Sequence, residues 1–205
     1  MNIMEKKSNL NAYIEKLENA LEQVEITSIK NIYLDYTEGI NKLVDVFRMY
    51  KKNRMGVYLC GNGGSAGIAQ HMTADFLKNG GIFTHSLFCQ TTLTCLSNDL
   101  SYEYVFCKQL ELMAKKGELL VAISSSGESD NLINAIRTIR RFEGMVITLT
   151  GFKKNNRVRA MGDWNIYVPI EHYGIVESIH NIILQQIVDQ IVETDGVALR
   201  IEKDI

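Results

Sequence analysis

Hydrophobic residues recur every three to four positions through much of the first fifty residues of the chain. This spacing runs through residues 11–24 and again through residues 28–50, and it is typical of amphipathic helices that bury one face. Thr27 and Ser28 lie between the two stretches and are residue types that cap helix N-termini. We therefore predict an N-terminal helical extension over about residues 1–52, which packs either on a neighbouring subunit or on the chain's own sheet.

From residue 57 onward, short apolar runs alternate with segments of helical spacing. The runs are rich in β-branched residues, as buried strands are. The predicted strands and helices are VYLC at 57–60 with 65–79, SLFC at 86–89 with 102–114, LLVAI at 119–123 with 129–142, MVITLT at 145–150, and NIYVPI at 165–170 with 173–193. Such alternation predicts an α/β fold in which helices cover both faces of a parallel sheet. Without repeats or linkers, the chain is predicted to form a single domain with its core at about 55–193.

Composition and charge narrow the class of protein. The formal net charge of -2 gives no electrostatic reason to expect a nucleic-acid partner. No stretch approaches the roughly 18 apolar residues of a membrane span, and the N-terminus lacks the apolar core of a signal peptide. The four cysteines show no C-x-x-C spacing, and two of them lie inside apolar runs, as reduced buried thiols of an intracellular protein do. We expect a cytoplasmic protein that binds neither membrane nor nucleic acid.

Two loops between a predicted strand and a predicted helix have an unusual composition. GNGGS at 61–65 follows VYLC, and its glycines permit positive φ angles and let a ligand approach backbone N–H groups. SSSGES at 124–129 follows LLVAI and gathers hydroxyl and N–H groups at the positive end of a helix. Ligands of open parallel sheets bind at the carboxyl ends of the strands. Together the loops predict a phosphate site, although glycine turns and serine caps explain either loop alone equally well.

The glycine loop also matches the dinucleotide-binding pattern G-x-G-x-x-[G/A] at Gly61, Gly63 and Ala66. That pattern requires an acidic residue about 20 positions later, at the end of the next strand, and THSLFCQTT at 84–92 contains none. The G-K-[ST] triplet of nucleotide P-loops is also missing from the sequence. A small phosphorylated ligand therefore fits better than a nucleotide.

Four segments of the chain follow one another as CGNGGSAGIAQHMTADF, LSNDLSYEYVF, ISSSGES and VESIHNIILQQI. In this order they resemble the motifs of the phosphoheptose isomerases, members of the sugar isomerase (SIS) domain family. The first and third motifs are shared by SIS domains generally, whereas S-N-D-x-x-Y-E points to the heptose branch. The resemblance implies one SIS domain over residues 1–205, a flavodoxin-like three-layer αβα sandwich with a central five-stranded parallel sheet preceded by N-terminal helices. It also implies a homotetramer with active sites at subunit interfaces.

The resemblance implies an isomerase, which is an intramolecular oxidoreductase. Phosphoheptose isomerases convert sedoheptulose 7-phosphate to D-glycero-D-manno-heptose 7-phosphate, which supplies heptose for surface polysaccharide. By motif position, the sugar would contact Asn62, Gly63, Gly64, Asp75, Asn98, Asp99 and Glu177, and the phosphate would bind Ser124, Ser125, Ser126 and Ser129. Family members use a glutamate on the first-loop helix as base and a histidine on the last helix as acid. This chain has Asp75 and Gln185 at those positions.

These two departures change the predicted chemistry and leave the phosphosugar site intact. Asp75 is still a carboxylate base, though shorter than glutamate, whereas the neutral amide of Gln185 cannot act as an acid. Gly174 also stands near the position of an aspartate in related enzymes. Two hypotheses supply the missing acid: His71, one helical turn from Asp75, donates the proton; or a divalent metal, zinc by resemblance, binds His71, Asp75, Glu177 and Gln185.

Two other functions remain open beside the isomerase. One is a SIS-domain protein without catalysis that senses a phosphosugar or acts as an interaction protein, and the loss of the acid favours it. The other is an amino-sugar-phosphate isomerase or an N-acetylmuramate-phosphate lyase-like enzyme, which the S-N-D segment and the short chain suit less. The retained Asp75, Asn98, Asp99 and serine loop favour an isomerase, because an interaction protein has no use for a complete sugar pocket.

Three residues carry expectations of their own. A structural role is predicted for His180, which lies among isoleucines, although His180 or His85 of a neighbouring chain could also supply the acid. Glu128 lies in the serine loop, where a carboxylate would repel a phosphate. We expect its side chain to point to solvent or to pair with a base such as Arg137.

Overall fold

The computed structural model describes residues 3–29 and 32–200, and a mixed β-sheet runs through the middle of this part of the chain. Seven α-helices and seven strands follow one another in these ranges. They are α1 (Ile3–Glu22), β1 (Glu25–Ser28), β2 (Ile32–Leu34), α2 (Tyr36–Asn53), β3 (Val57–Gly61), α3 (Gly64–Lys78), β4 (Thr84–Ser86), α4 (Gln90–Asp99), α5 (Cys107–Met113), β5 (Leu119–Ser124), α6 (Asp130–Arg141), β6 (Met145–Gly151), β7 (Trp164–Val168) and α7 (Tyr173–Asp195).

The sheet has the strand order β2-β1-β7-β6-β5-β3-β4. The five strands from β7 to β4 are parallel, and β1 and β2 extend the sheet in antiparallel fashion beyond β7. The predicted α/β class is confirmed, but the sheet has seven strands, five of them parallel, instead of the predicted five.

Two hydrophobic cores lie on opposite faces of the sheet. Alternate residues of a strand point to opposite faces, so Val121 joins the core beneath α2, α3 and α7, and its neighbour Ala122 joins the core beneath α5 and α6. Both faces are covered, which explains why β5 is apolar at successive positions instead of at alternate ones. The layers are helix, sheet and helix, as predicted.

The second predicted helix begins later than expected, because Glu25–Ser28 and Ile32–Leu34 form the strands β1 and β2. Thr27 and Ser28 are therefore strand residues, and their prediction as caps is wrong. Asp35 caps α2 instead: its Oδ1 accepts hydrogen bonds from the backbone N–H of Thr37 at 2.9 Å and of Glu38 at 3.4 Å. The open edge of β7 offers unpaired backbone groups to β1, a tertiary interaction that the local apolar spacing cannot reveal.

The middle of the chain also differs from the sequence prediction. The strand predicted at 86–89 lies at Thr84–Ser86, and the helix α4 that follows it was not predicted. The helix predicted at 102–114 is divided into a 3₁₀ turn at Tyr102–Tyr104 and α5. None of the helices within residues 3–29 and 32–200 is both long and apolar enough to cross a membrane.

The two N-terminal helices pack differently. In α2, Ile40, Leu43 and Phe47 are buried, and the ring of Phe47 stacks on Phe76 of α3 with centroids 4.4 Å apart. By contrast α1 packs on α7 along one side only. It leaves an apolar stripe of Leu10, Tyr13 and Ile14 exposed, whose spacing of three and four residues places them on one helix face.

A buried histidine joins α7 to the sheet. His180 is fully buried, and its Nε2 lies 3.1 Å from the carbonyl oxygen of Thr150 at the end of β6. Burial lowers the pKa of His180 to about 4, because the charged imidazolium loses its hydration. The predicted structural role is consistent with this position.

We predict that substituting Gly39 with alanine tests the packing of the β1–β2 hairpin on α2. A Cβ at Gly39 would lie 2.8 Å from two side-chain carbons of Ile26 in β1. Overpacking of this kind should lower the free energy of unfolding by about 1–2 kcal/mol, measured by urea unfolding. Gly67→Ala is the matched control, because nothing surrounds that position within 4 Å, and it should stabilise α3 by about 0.5–1 kcal/mol. Equal effects of the two substitutions would contradict the hairpin packing.

We also predict an acid-sensitive contribution from His180. Its pKa is lower in the folded state (about 4) than in the unfolded state (6.5), so the contribution is complete above pH 6.5 and is lost as the pH falls towards 4. The loss amounts to about 3 kcal/mol. The unfolding free energy of a His180→Gln variant should therefore fall less than that of the wild type between pH 7 and pH 4.5. His85→Gln serves as a control at a partly exposed histidine, and an identical pH profile for His180→Gln and wild type would refute the prediction.

Candidate active site

The two predicted loops lie side by side at the carboxyl ends of two neighbouring strands. Strands β3 and β5 are neighbours, and their register pairs Gly61 with Ile123, so their carboxyl ends coincide. A cavity of about 130 Å³ opens between the loops. Its lining comprises Asn62, Ser65, Ile123, Ser124, Ser125, Ser126, Ser129, Tyr173 and Glu177. The structure therefore brings together Asn62, the four serines and Glu177 from the predicted site.

The glycine loop makes a tight turn from β3 into α3. A Cβ at Gly61 would lie 2.6 Å from the backbone oxygen of Ser65, so only glycine fits there. Gly63 has a φ of +55° and precedes the helix, which begins without a hydrogen bond from a capping side chain. Ala66 N–H already bonds the backbone oxygen of Gly63 at 3.1 Å, so the N–H groups of Gly64 and Ser65 are the ones left for a ligand in this turn.

Two of the four serine hydroxyls in the serine loop accept hydrogen bonds from the backbone of the loop, and the other two do not. Ser124 Oγ accepts a hydrogen bond from Gly127 N at 3.0 Å, and Ser126 Oγ accepts one from Glu128 N at 3.4 Å. Ser125 Oγ is buried and has no hydrogen-bond partner among the described residues. Ser129 is the N-cap residue of α6 but makes no side-chain capping bond. Two hydroxyls at the positive end of α6 are therefore available to an anion.

Two residues that the sequence did not single out connect these loops. The amides of Asn62 and Asn131 exchange two hydrogen bonds, of 3.0 and 2.9 Å, and the phenol of Tyr102 donates to Asn62 Oδ1 at 2.9 Å. Asn131 lies two positions after the serine loop, and Tyr102 belongs to the S-N-D-x-x-Y-E motif. The motif was a usable signal for Tyr102, whereas none of the quoted motifs contains Asn131.

Glu177 forms one wall of the cavity. Its carboxylate lies against Gly64, where a Cβ would overlap the carboxylate oxygens. A carboxylate accepts hydrogen bonds from sugar hydroxyls and cannot bind the phosphate itself.

The predicted base and its candidate acid lie together, outside this cavity. His71 Nε2 is 3.5 Å from Asp75 Oδ2 on the exposed side of α3. The side chain of His71 is 55% exposed, and Asp75 Oδ1 accepts a hydrogen bond from Asn79 at 3.3 Å. The pairing of the two side chains agrees with their spacing, and their roles in catalysis stay predictions.

Three other predicted residues also lie away from the cavity lining. Gln185 donates a hydrogen bond to Asp189 Oδ1 at 3.2 Å in an outer groove of α7. Asn98 donates to Asp99 Oδ1 at 2.9 Å at the exposed end of α4. Contact of these three residues with substrate remains untested.

The predicted metal ligands do not assemble within this chain. No three side chains of His, Cys, Asp or Glu in the described ranges are grouped so that they could hold a metal ion. Glu177 lies in the cavity, His71 and Asp75 pair with each other, and the amide of Gln185 is bonded elsewhere. Zinc needs four donors within about 2.0–2.3 Å, so this arrangement does not fit it.

Glu128 is partly exposed and pairs with a base, as expected, but the base is Arg157 and not Arg137: Arg157 Nε lies 2.6 Å from Glu128 Oε2. This guanidinium holds the pKa of Glu128 below its ordinary value, so the carboxylate stays charged but turned from the cavity lining. His180 is fully buried, which prevents it from reaching the site of a neighbouring chain.

Comparisons with known proteins agree with this architecture. A family model described as SIS domain matches residues 12–151. The phosphoheptose isomerase of Helicobacter hepaticus is 33% identical over 165 residues, which cover 78% of this chain and 83% of that protein. The phosphoheptose isomerase of Aliarcobacter butzleri is 35% identical over 150 residues, which cover 70% and 78%.

Among solved structures, phosphoheptose isomerase GmhA from Neisseria gonorrhoeae matches with a TM-score of 0.79 and 25% identity. The match covers 94% of this chain and 100% of that chain. The residues that the family model matches include both loops that form the cavity, 61–65 and 124–129. The chain therefore belongs to the phosphoheptose isomerase family of SIS-domain proteins.

Proposed function

We propose that this protein interconverts a ketose phosphate and an aldose phosphate, with sedoheptulose 7-phosphate and D-glycero-D-manno-heptose 7-phosphate as the pair. The observation that carries the proposal is the cavity between the two uncapped helix N-termini, into which buried Ser125 brings an unpartnered hydroxyl. An unpaired buried hydroxyl is unfavourable in the free protein, and a phosphate oxygen would satisfy it. A heptose is proposed as the sugar because the relatives are named phosphoheptose isomerases.

The position of the base outside the cavity suits a seven-carbon substrate. The phosphate is carried on carbon 7, whereas the reaction takes place at carbons 1 and 2, at the other end of the sugar. With the phosphate in the serine loop, the carbon chain extends past Glu177 towards the side of α3 that carries His71 and Asp75. A shorter sugar phosphate would bring its reacting carbons closer to the serines.

In the proposed reaction, the carboxylate of Asp75 removes the proton from the carbon next to the carbonyl group. The enediolate that forms is reprotonated on the neighbouring carbon by the same carboxyl group, which completes the isomerisation. His71 moves a proton between the two oxygens, a role open to a neutral imidazole near pH 7. His71 Nε2 and Asp75 Oδ2 are 3.5 Å apart, which lets a proton pass between the two side chains.

A homotetramer is part of the proposal, with sites completed at subunit interfaces. His71 and Asp75 lie on an exposed helix face, and proton transfer from carbon requires that water be excluded. The apolar stripe of Leu10, Tyr13 and Ile14 lies on α1, which packs on α7. A neighbouring subunit bound at this stripe would cover the open side of α7. Sedimentation analysis would test the assembly.

One observation favours the second candidate function, a catalytically inactive phosphosugar sensor. The family's acid position is a glutamine whose amide is already bonded to Asp189. Incubation with sedoheptulose 7-phosphate distinguishes the two functions: the isomerase produces aldose, whereas the sensor only gains thermal stability from the ligand. Stabilisation without turnover would overturn the isomerase proposal.

We predict that Ser125→Ala raises the KM for sedoheptulose 7-phosphate by about tenfold, because one charge-assisted hydrogen bond to the phosphate is lost. The unfolding free energy of the free protein should not fall, because the variant removes an unpaired buried hydroxyl, which is unfavourable. Ser124→Ala is the matched comparison: its oxygen holds Gly127 N, so that variant should also lose stability. An unchanged KM for Ser125→Ala would contradict phosphate binding in the serine loop.

Asp75→Asn should lower kcat by about 10²–10⁴-fold, because the amide cannot accept the carbon-bound proton. Asp45→Asn, at an exposed aspartate of α2, is the control and should keep wild-type turnover.

The same assay after dialysis against EDTA, with and without added zinc or manganese, tests whether His71 or a metal ion supplies the acid. Full turnover of metal-free protein supports His71, and turnover that requires added metal would transfer its role to the ion.

A further inference from the structure

The side chain of Asn62 joins three segments that approach the cavity from different parts of the chain. Asn62 belongs to the glycine loop, Asn131 to the first turn of α6, and Tyr102 to the 3₁₀ turn after α4. We call these three residues and their hydrogen bonds the asparagine bridge. Both acceptor positions of Asn62 Oδ1 are occupied, by Asn131 Nδ2 and Tyr102 Oη.

Asn131 is fixed more firmly than the other two members. Its residue is only 3% exposed, and both atoms of its amide are bonded to Asn62. It lies two positions after Ser129, so it moves with the serine loop and the N-terminus of α6. Asn62 in turn precedes Gly63, where α3 is about to begin. The bridge therefore connects the two helix N-termini that enclose the cavity.

The third segment is attached to the same helix. Asn134, one turn further along α6, donates a hydrogen bond to the backbone oxygen of Glu103 at 3.0 Å. Tyr102 is half-exposed, so its side chain contributes little to the core. Its hydroxyl instead orients the Asn62 amide through the hydrogen bond to Oδ1. Through these contacts α6 holds both the glycine loop and the turn that follows Asn98 and Asp99.

We propose that Asn131 and Tyr102 are positioning residues of the isomerase: they fix the Asn62 amide and thereby set the spacing between the glycine loop and the serine loop. This inference rests on the proposed function, because a sugar phosphate must contact both loops at once. Inorganic phosphate needs only the serine loop. Loosening the bridge therefore weakens catalysis on the sugar phosphate more than it weakens the binding of phosphate alone.

The test uses the full-length protein with Asn131→Ala, Tyr102→Phe and the control Tyr104→Phe. Tyr104 lies on the same 3₁₀ turn as Tyr102 but makes no bond to Asn62. Tyr102→Phe removes one hydroxyl at a half-exposed site, which keeps the test valid if Asn131→Ala fails to fold. Three quantities are measured: kcat and KM for sedoheptulose 7-phosphate, affinity for inorganic phosphate, and amide hydrogen exchange of residues 61–65.

We expect kcat/KM to fall about tenfold for Tyr102→Phe and about 100-fold for Asn131→Ala, because small displacements of substrate-positioning groups have steep effects. Phosphate affinity should stay within about threefold of wild type, since the serine hydroxyls and the α6 N–H groups remain. Exchange at residues 61–65 should accelerate in both variants and not in Tyr104→Phe.

Unchanged exchange at residues 61–65 in both variants would overturn the inference, as would unchanged kcat/KM with faster exchange. An equal loss of phosphate affinity and of kcat/KM would also overturn it, because general destabilisation of the serine loop would then suffice. Failure of the proposed function has a different result: the wild type itself shows no turnover. In that case the affinity of each variant for sedoheptulose 7-phosphate takes the place of kcat/KM. It is compared with the affinity of the same variant for inorganic phosphate.

Discussion

The site depends on the parallel pairing of β3 with β5. Because these neighbouring strands end at the same level, the helices that follow them begin side by side, and two sets of unpaired N–H groups face one space. The loops add the rest: glycines keep the backbone of the first loop free of side chains, and serines add hydroxyls in the second. A pairing shifted by one residue would turn these side chains to the other face of the sheet and separate them from the cavity.

The two ends of the proposed substrate are served by different parts of the fold. The phosphate end lies at the carboxyl ends of β3 and β5, where rigid strands fix the loops and the asparagine bridge holds them together. The reacting end lies along α3, where His71 and Asp75 are paired but open to solvent. The cavity lining comes from a single subunit, whereas Gln185, which the resemblance places at the family's acid position, donates a hydrogen bond to Asp189. Binding and chemistry can change separately in such an arrangement.

The sequence predicted the parts that depend on local pattern. Buried strands such as LLVAI are apolar at every position, and the composition of both phosphate loops follows from the chemistry of anion binding. It failed where long-range contacts decide the structure. Strand β1 pairs with the edge of β7 and β2 pairs with β1, although the local spacing is helical, and the partner of Glu128 is Arg157, 29 positions away. Asn131 shows the same limit, because its bond to Asn62 joins residues separated by 69 positions.

The central claim is that the two loops jointly hold the phosphate-bearing end of the sugar. A crystal structure of the protein with sedoheptulose 7-phosphate tests it most directly. The account predicts the phosphate within hydrogen-bond distance of Ser125 Oγ and of the first-turn N–H groups of α6, with the carbon chain directed past Glu177 to Asp75. A phosphate bound elsewhere, or a ligand whose first two carbons lie in the serine loop, would contradict it.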